Sequence, residues 1–188
     1  MRRMYPLAAL LCLFSITSFA QKKDIVTYND FSGKYDQFTL GIGFGFDYGG
    51  FGGNATYYPQ KNLGVFFGGG YALAGFGYNA GLRYRFLPKN PASKFTPFLT
   101  AMYGYYSAVH VQNYTQYDKI FYGPSVGVGF DLGTHIVGKG VFSLALLVPF
   151  RNSETDDYID YLENNASIQF RNKPIPIGIS VGYRVNLF

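Results

Sequence analysis

The sequence predicts an all-β chain, an eight-stranded antiparallel up-and-down transmembrane β-barrel. Three observations predict it. Large apolar residues alternate with small or polar ones over long stretches, which is the period of a strand. Charged residues make only 14% of the chain, aromatics 20%, and glycine fills 24 of 188 positions. A soluble domain carries about 25% charged residues. Finally, no apolar run beyond the first twenty residues approaches the ~20 needed for a spanning helix. The length suits one domain, and the ring content excludes disorder.

The chain opens with Arg2 and Arg3, an apolar stretch at 7–14, and Ser18-Phe19-Ala20 ahead of Gln21. This is the pattern of a secretory signal peptide over 1–20, cleaved after Ala20. Leu11 ahead of Cys12 argues against a lipoprotein signal. Residues 21–36 are then a periplasmic N-terminal segment and 37–188 the barrel. Cys12, the only cysteine, leaves with the leader, so neither a disulfide nor thiolate chemistry is expected. Losing Arg2 and Arg3 lowers the net charge from +5 to +3. That balance is too mild to point to nucleic acid, and no basic run supports one.

The first strand is read at 37–48. Phe38, Leu40, Ile42, Phe44, Phe46 and Tyr48 alternate there with Gln37, Thr39, three glycines and Asp47. Weaker alternation gives the second and third strands at 51–59 and 63–73. The fourth, at 77–87, sets Tyr78, Leu82, Tyr84 and Phe86 against Asn79, Gly81, Arg83 and Arg85. The fifth is read at 95–110. The sixth, at 120–133, sets Val126, Val128, Phe130 and Leu132 against Ser125, Gly127, Gly129 and Asp131. The seventh lies at 141–150. The eighth, at 175–187, sets Ile179, Val181, Tyr183 and Val185 against Ser180, Gly182, Arg184 and Asn186. Pro97, Pro149 and Pro176 fall near strand ends, where a missing donor is tolerated; Pro124 sits deeper.

The connections at 59–62, 88–94 and 134–140 are short and polar. On the opposite side lie 46–51, 72–76, 111–119 and the long 151–174. Short turns on one side and longer loops on the other suit a transmembrane barrel. The small, polar face would solubilise an outer surface poorly, but it fits the narrow lumen of eight strands. The large residues therefore face lipid. Their rings sort by depth into a periplasmic level (Phe38, Phe95, Tyr84, Phe130, Phe142, Tyr183) and an outer level (Phe46, Tyr48, Tyr71, Tyr78, Tyr103, Tyr105, Tyr122, Phe150). Leu40, Ile42, Val126, Val128, Leu146 and Ile179 lie between, the arrangement a bilayer selects.

With its leader, eight amphipathic strands and long last loop, the chain over 37–188 resembles the small outer-membrane β-barrels of Gram-negative envelopes, the OmpA-like and OmpX-like group. The resemblance rests on pattern rather than on a specific motif. It implies location in the cell outer membrane among its lipid and lipopolysaccharide, and the barrel-assembly machinery as partner during insertion. The terminal Phe188 resembles the aromatic that this machinery reads, although the outward set ends at Leu187, out of phase with it.

No cofactor is expected. The Gly-Lys pairs Gly33-Lys34 and Gly138-Lys139 lack the Ser/Thr of a phosphate loop. Ser107 and His110 are three apart in a strand and point to opposite faces, so no hydrolytic pair is expected. His110 and His135 fall at opposite ends, which disfavours a metal site. The chain is therefore not expected to be an enzyme. The acids Glu154, Asp156, Asp157, Asp160 and Glu163 gather in the 151–174 loop. A divalent cation or a protein partner is a candidate for them, and a solvated loop with one short helix is the plainer reading. Ser153 would cap that helix, and Tyr158, Ile159, Tyr161 and Leu162 would form its apolar face. Inward parity brings Arg83, Arg85, Asp131 and Arg184 toward one end of the lumen. A buried charge needs a partner, so Asp131 is expected to accept from one of the arginines, with Arg83 or Arg85 favoured. Tyr58, Phe66, Phe98, Met102, Tyr106 and Phe121 should fill the lumen. The expected role is a structural or interactive outer-membrane scaffold displaying loop 151–174; a narrow pore is the alternative, and a lipid-modifying enzyme ranks below it.

Overall fold

A computed structural model describes residues 35–89, 93–111, 117–151, 153–165 and 177–188. The proposed leader and most of segment 21–36 lie outside them. Eight strands follow in order: β1 Phe38–Gly45, β2 Gly50–Tyr57, β3 Leu63–Tyr71, β4 Phe76–Arg85, β5 Phe95–Val109, β6 Lys119–Gly133, β7 Gly140–Pro149 and β8 Gly178–Asn186. Every neighbouring pair is antiparallel, and β1 pairs with β8 to close the barrel. Thr39 stands opposite Asn186 and Phe44 opposite Val181 at the seam. Closure leaves no unpaired sheet edge, the condition for a sheet to survive without water around it. No helix among the described residues is long and apolar enough to cross a membrane.

The alternation fixes which side of each strand is which. Ile42, Phe51, Phe67, Val128 and Ile179 are each more than half exposed on the outside, while Tyr58, Phe66, Phe98, Met102, Tyr106 and Phe121 are buried inside, as parity predicts. Pro124 remains within β6 opposite Tyr103 and points outward, and its carbonyl accepts the Phe150 N–H at 2.8 Å.

Three details depart from simple alternation. First, β1 stops at Gly45. Phe46–Tyr48 forms a 3-10 helix that contacts most of the strands and sits inside the barrel. Tyr48, expected in the outer ring level, is 1% exposed, and Phe46 packs against the buried Phe66, Met102 and Leu147. The reversal needs backbone that only glycine adopts freely: Gly49 and Gly50 have φ of 68° and 102°. Second, the register of β5 against β6 slips between Tyr105 and Ser107. Such a bulge breaks the two-residue period, so that Ser107 is buried directly after Tyr106; Tyr105, just before it and also expected outward, is half-buried with its ring edge-on to Phe46 at 5.5 Å. Third, alternation ends with β8 at Asn186. Phe188 is exposed like Leu187, and its ring stacks on Phe38 at 5.3 Å.

Among the described residues of the 151–174 loop is a helix, α1, at Ser153–Asn165. Ile159 and Leu162 are buried against Tyr106, Val109, Val111 and Phe121, which belong to the long β5–β6 hairpin and its end. The Tyr106 and Thr155 hydroxyls are 2.8 Å apart. Tyr161, expected on the apolar face, is 54% exposed.

Candidate functional site

The lumen is where the chain concentrates its charge. Arg83 and Arg85 come from β4, Asp131 from β6 and Arg184 from β8, and all four side chains are essentially closed to solvent. Two further acids join them. Asp47 enters on the 3-10 helix, and Asp36 enters from the residues leading into β1; both are buried. Three guanidinium groups thus face three carboxylates. That balance matters because an unpaired ion in a dry interior costs several kcal/mol.

The pairs form a continuous ladder. Arg83 Nη2 donates to Asp47 Oδ2 at 3.0 Å, and its Nη1 lies 3.9 Å from Asp131 Oδ1. Arg184 Nη2 donates to the same Asp131 oxygen at 3.2 Å and also to the Ser143 hydroxyl. His135 follows, with Nε2 3.3 Å from Asp131 Oδ2 and Nδ1 3.4 Å from Asp36 Oδ2. Arg85 ends the run: Nη1 donates to Asp36 Oδ1 at 2.6 Å, Nη2 to the Asp36 carbonyl at 2.9 Å and Nε to the Lys61 carbonyl at 2.7 Å. Rings separate the layers. The Arg83 guanidinium lies 4.0 Å from the Phe98 centroid, and that of Arg85 3.6 Å from Tyr58, close enough for cation–π attraction.

Of the two favoured donors, Arg83 approaches Asp131 only at ion-pair distance and Arg85 serves Asp36 instead. The hydrogen bond to Asp131 comes from Arg184. Asp36, Asp47 and His135 were missed as partners. Parity already placed Asp47 on the inward face, and three inward arginines already required more than one acid. Nothing in the strand pattern brings Asp36 or His135 inside, because both lie just beyond strand ends.

Glycine makes room for the plug. A Cβ at Gly182 would stand 2.2 Å from the Tyr48 hydroxyl, and one at Gly68 2.1 Å from the Asp47 carbonyl. The Asn54 amide donates to that same carbonyl at 2.7 Å. The polar glycine face of β1, β3 and β8 is thus the wall against which the inverted loop packs.

The remaining candidates lie elsewhere. Asp156, Asp157, Asp160 and Glu163 are exposed on α1; the side chain of Glu154 lies outside the described residues. His110 Nδ1 is 2.9 Å from Asp118 Oδ2, whose other oxygen accepts the Val111 N–H at 2.9 Å, a tie across the end of the β5–β6 hairpin. Among the described residues, no group of three or more His, Cys, Asp or Glu is placed to hold a metal ion.

Fold and lumen together define a closed eight-stranded β-barrel with an apolar outer wall and a charged, filled interior. No family model matches the chain, and no curated protein matches it. Among solved structures, the N-terminal β-barrel domain of Pseudomonas aeruginosa OprF is similar at a TM-score of 0.40, with 12% identity over 80% of this chain and 98% of that one.

Proposed function

We propose that the chain is an integral outer-membrane β-barrel with a structural or interactive role, which anchors and displays the 151–174 loop at the cell surface. The observation that carries this is the inverted distribution of polarity. Large apolar side chains are exposed around the wall, among them Ile42 at 73%, Phe51 at 74% and Val128 at 56%, while the arginines of the lumen are buried. Such a wall in water is an aggregation surface; in lipid it is a solvent match. The leader at 1–20 supports export, and export with a β-spanning wall selects the outer membrane. The filled lumen favours a scaffold over the narrow-pore alternative, since the 3-10 helix and the ion ladder each occupy part of its length. The exposed acids of α1 make loop 151–174 the expected contact point for a protein partner.

Fractionation of expressing cells tests the location: the protein should remain with outer membranes after a high-pH wash. An epitope beside Asn164 should bind antibody on intact cells, and one at position 90 only after permeabilisation. Recovery in the soluble fraction would overturn the reading. Steady conductance of the purified protein in planar bilayers would replace the scaffold with the pore.

A further inference from the structure

We propose that His135 is a proton-operated tie that fastens the segment leading into β1 across the barrel mouth, doubly when its Nδ1 carries a proton and singly when it does not. The segment is already laced to the mouth through its backbone. The Asp36 N–H donates to the His135 carbonyl at 3.0 Å, and the Tyr58 N–H donates to the Gln37 carbonyl at 2.7 Å. The Tyr35 hydroxyl donates to the Pro88 carbonyl at 3.2 Å.

The imidazole adds a choice to this lacing. Its Nδ1 lies 3.1 Å from Arg85 Nη1, which can only donate, and 3.4 Å from Asp36 Oδ2, which as a carboxylate can only accept. One nitrogen cannot serve both. A bare Nδ1 accepts from Arg85; a protonated Nδ1 donates to Asp36. Nε2 faces the Asp131 carboxylate at 3.3 Å in either state and keeps its hydrogen. The proton on Nδ1 therefore decides whether Asp36 is held by Arg85 alone or by Arg85 and His135 together. The charged groups around the ring are Asp36 from the leading segment, Arg85 from β4 and Asp131 from β6. Behind Asp131 stand Arg184 of β8 and Arg83 of β4.

The sign follows from the local balance. Burial disfavours the imidazolium, but the Asp131 and Asp36 carboxylates outweigh it, so His135 titrates above its ordinary range. Burial likewise opposes the Asp36 carboxylate, but His135 and Arg85 hold its titration below the ordinary range. A raised base contributes fully below its unfolded value of about 6.5 and is lost as pH rises through the folded one. A lowered acid loses its contribution only as pH falls through its own lowered value. The double tie is complete between those limits and relaxes on the alkaline side.

The test uses the mature chain in detergent micelles. Side-chain nitrogen NMR follows the His135 titration, while amide exchange, corrected for its intrinsic pH dependence, follows Asp36 and Tyr58. The expected result is a His135 midpoint above the ordinary value. Across it, Asp36 protection should fall several-fold, the direction that linkage to a raised base requires, while Leu146 in β7 stays unchanged. The fall should be absent in His135→Gln. If that variant does not fold, Asp36→Asn serves instead and should lower the His135 midpoint. The idea is overturned by a midpoint at or below the ordinary value, by flat Asp36 protection across it, by an equal fall in His135→Gln, or by an unmoved midpoint in Asp36→Asn. None of these readouts depends on the membrane location, so failure here leaves that proposal standing.

Discussion

Arg83 and Asp47 meet at 3.0 Å with both side chains closed to solvent. One belongs to the wall of the barrel and the other to a loop turned inside it. The pair therefore fastens the plug to the wall, and breaking one side strands a charge.

Arg83→Met should destabilise the folded barrel by roughly 3–5 kcal/mol, because the buried Asp47 loses the guanidinium that hydrogen-bonds it. Adding Asp47→Asn should recover part of the loss. Denaturant unfolding of the four proteins in vesicles measures the coupling. Additive losses would mean that the two side chains do not act as a pair.

Gly182→Ala should cost about 1–3 kcal/mol by overpacking, since its methyl would meet the Tyr48 hydroxyl at 2.2 Å. Tyr48→Ala should relieve that strain in the double variant. On its own it should raise single-channel conductance from the wild-type baseline, because it removes a ring from the lumen. No conductance change in Tyr48→Ala would show that this ring does not close the passage.

Leu162→Ala should loosen α1 from the β5–β6 hairpin at a cost of about 2–5 kcal/mol for a fully buried leucine. Tyr106→Phe should cost about 1 kcal/mol through loss of the Thr155 hydrogen bond. Limited proteolysis should cut α1 faster in both, while the barrel keeps its strand signature by circular dichroism. Cleavage rates equal to wild type would contradict the docking of the helix.

What the sequence revealed and concealed follows from range. Alternation is a local property, so the eight strands and the inward side of Arg83, Asp131 and Arg184 could be read from it. Tyr48 could not be placed, because strand parity carried past Gly45 assigns it to the outside, and only the left-handed backbone at Gly49 and Gly50 turns the loop inward. Tyr105 was misjudged for a related reason: it lies just before the bulge, and its ring meets Phe46, which the inverted loop carries. Asp36 and His135 lie 99 positions apart and meet only after β6 and β7 have placed their turn beside the start of β1. No periodicity encodes such a meeting. A charge balance over the inward positions would have asked for acids beyond Asp131, with Asp47 the first choice.

The central claim, that the apolar wall faces hydrocarbon, is tested most directly at Val128. This residue is 56% exposed near the middle of β6. A nitroxide attached through Val128→Cys in reconstituted vesicles should collide with dissolved oxygen far more often than with a water-soluble nickel chelate. The companion substitution Val128→Arg should cost roughly 2–4 kcal/mol at the midplane. Ready quenching of the nitroxide by the chelate would place this wall in water and contradict the account.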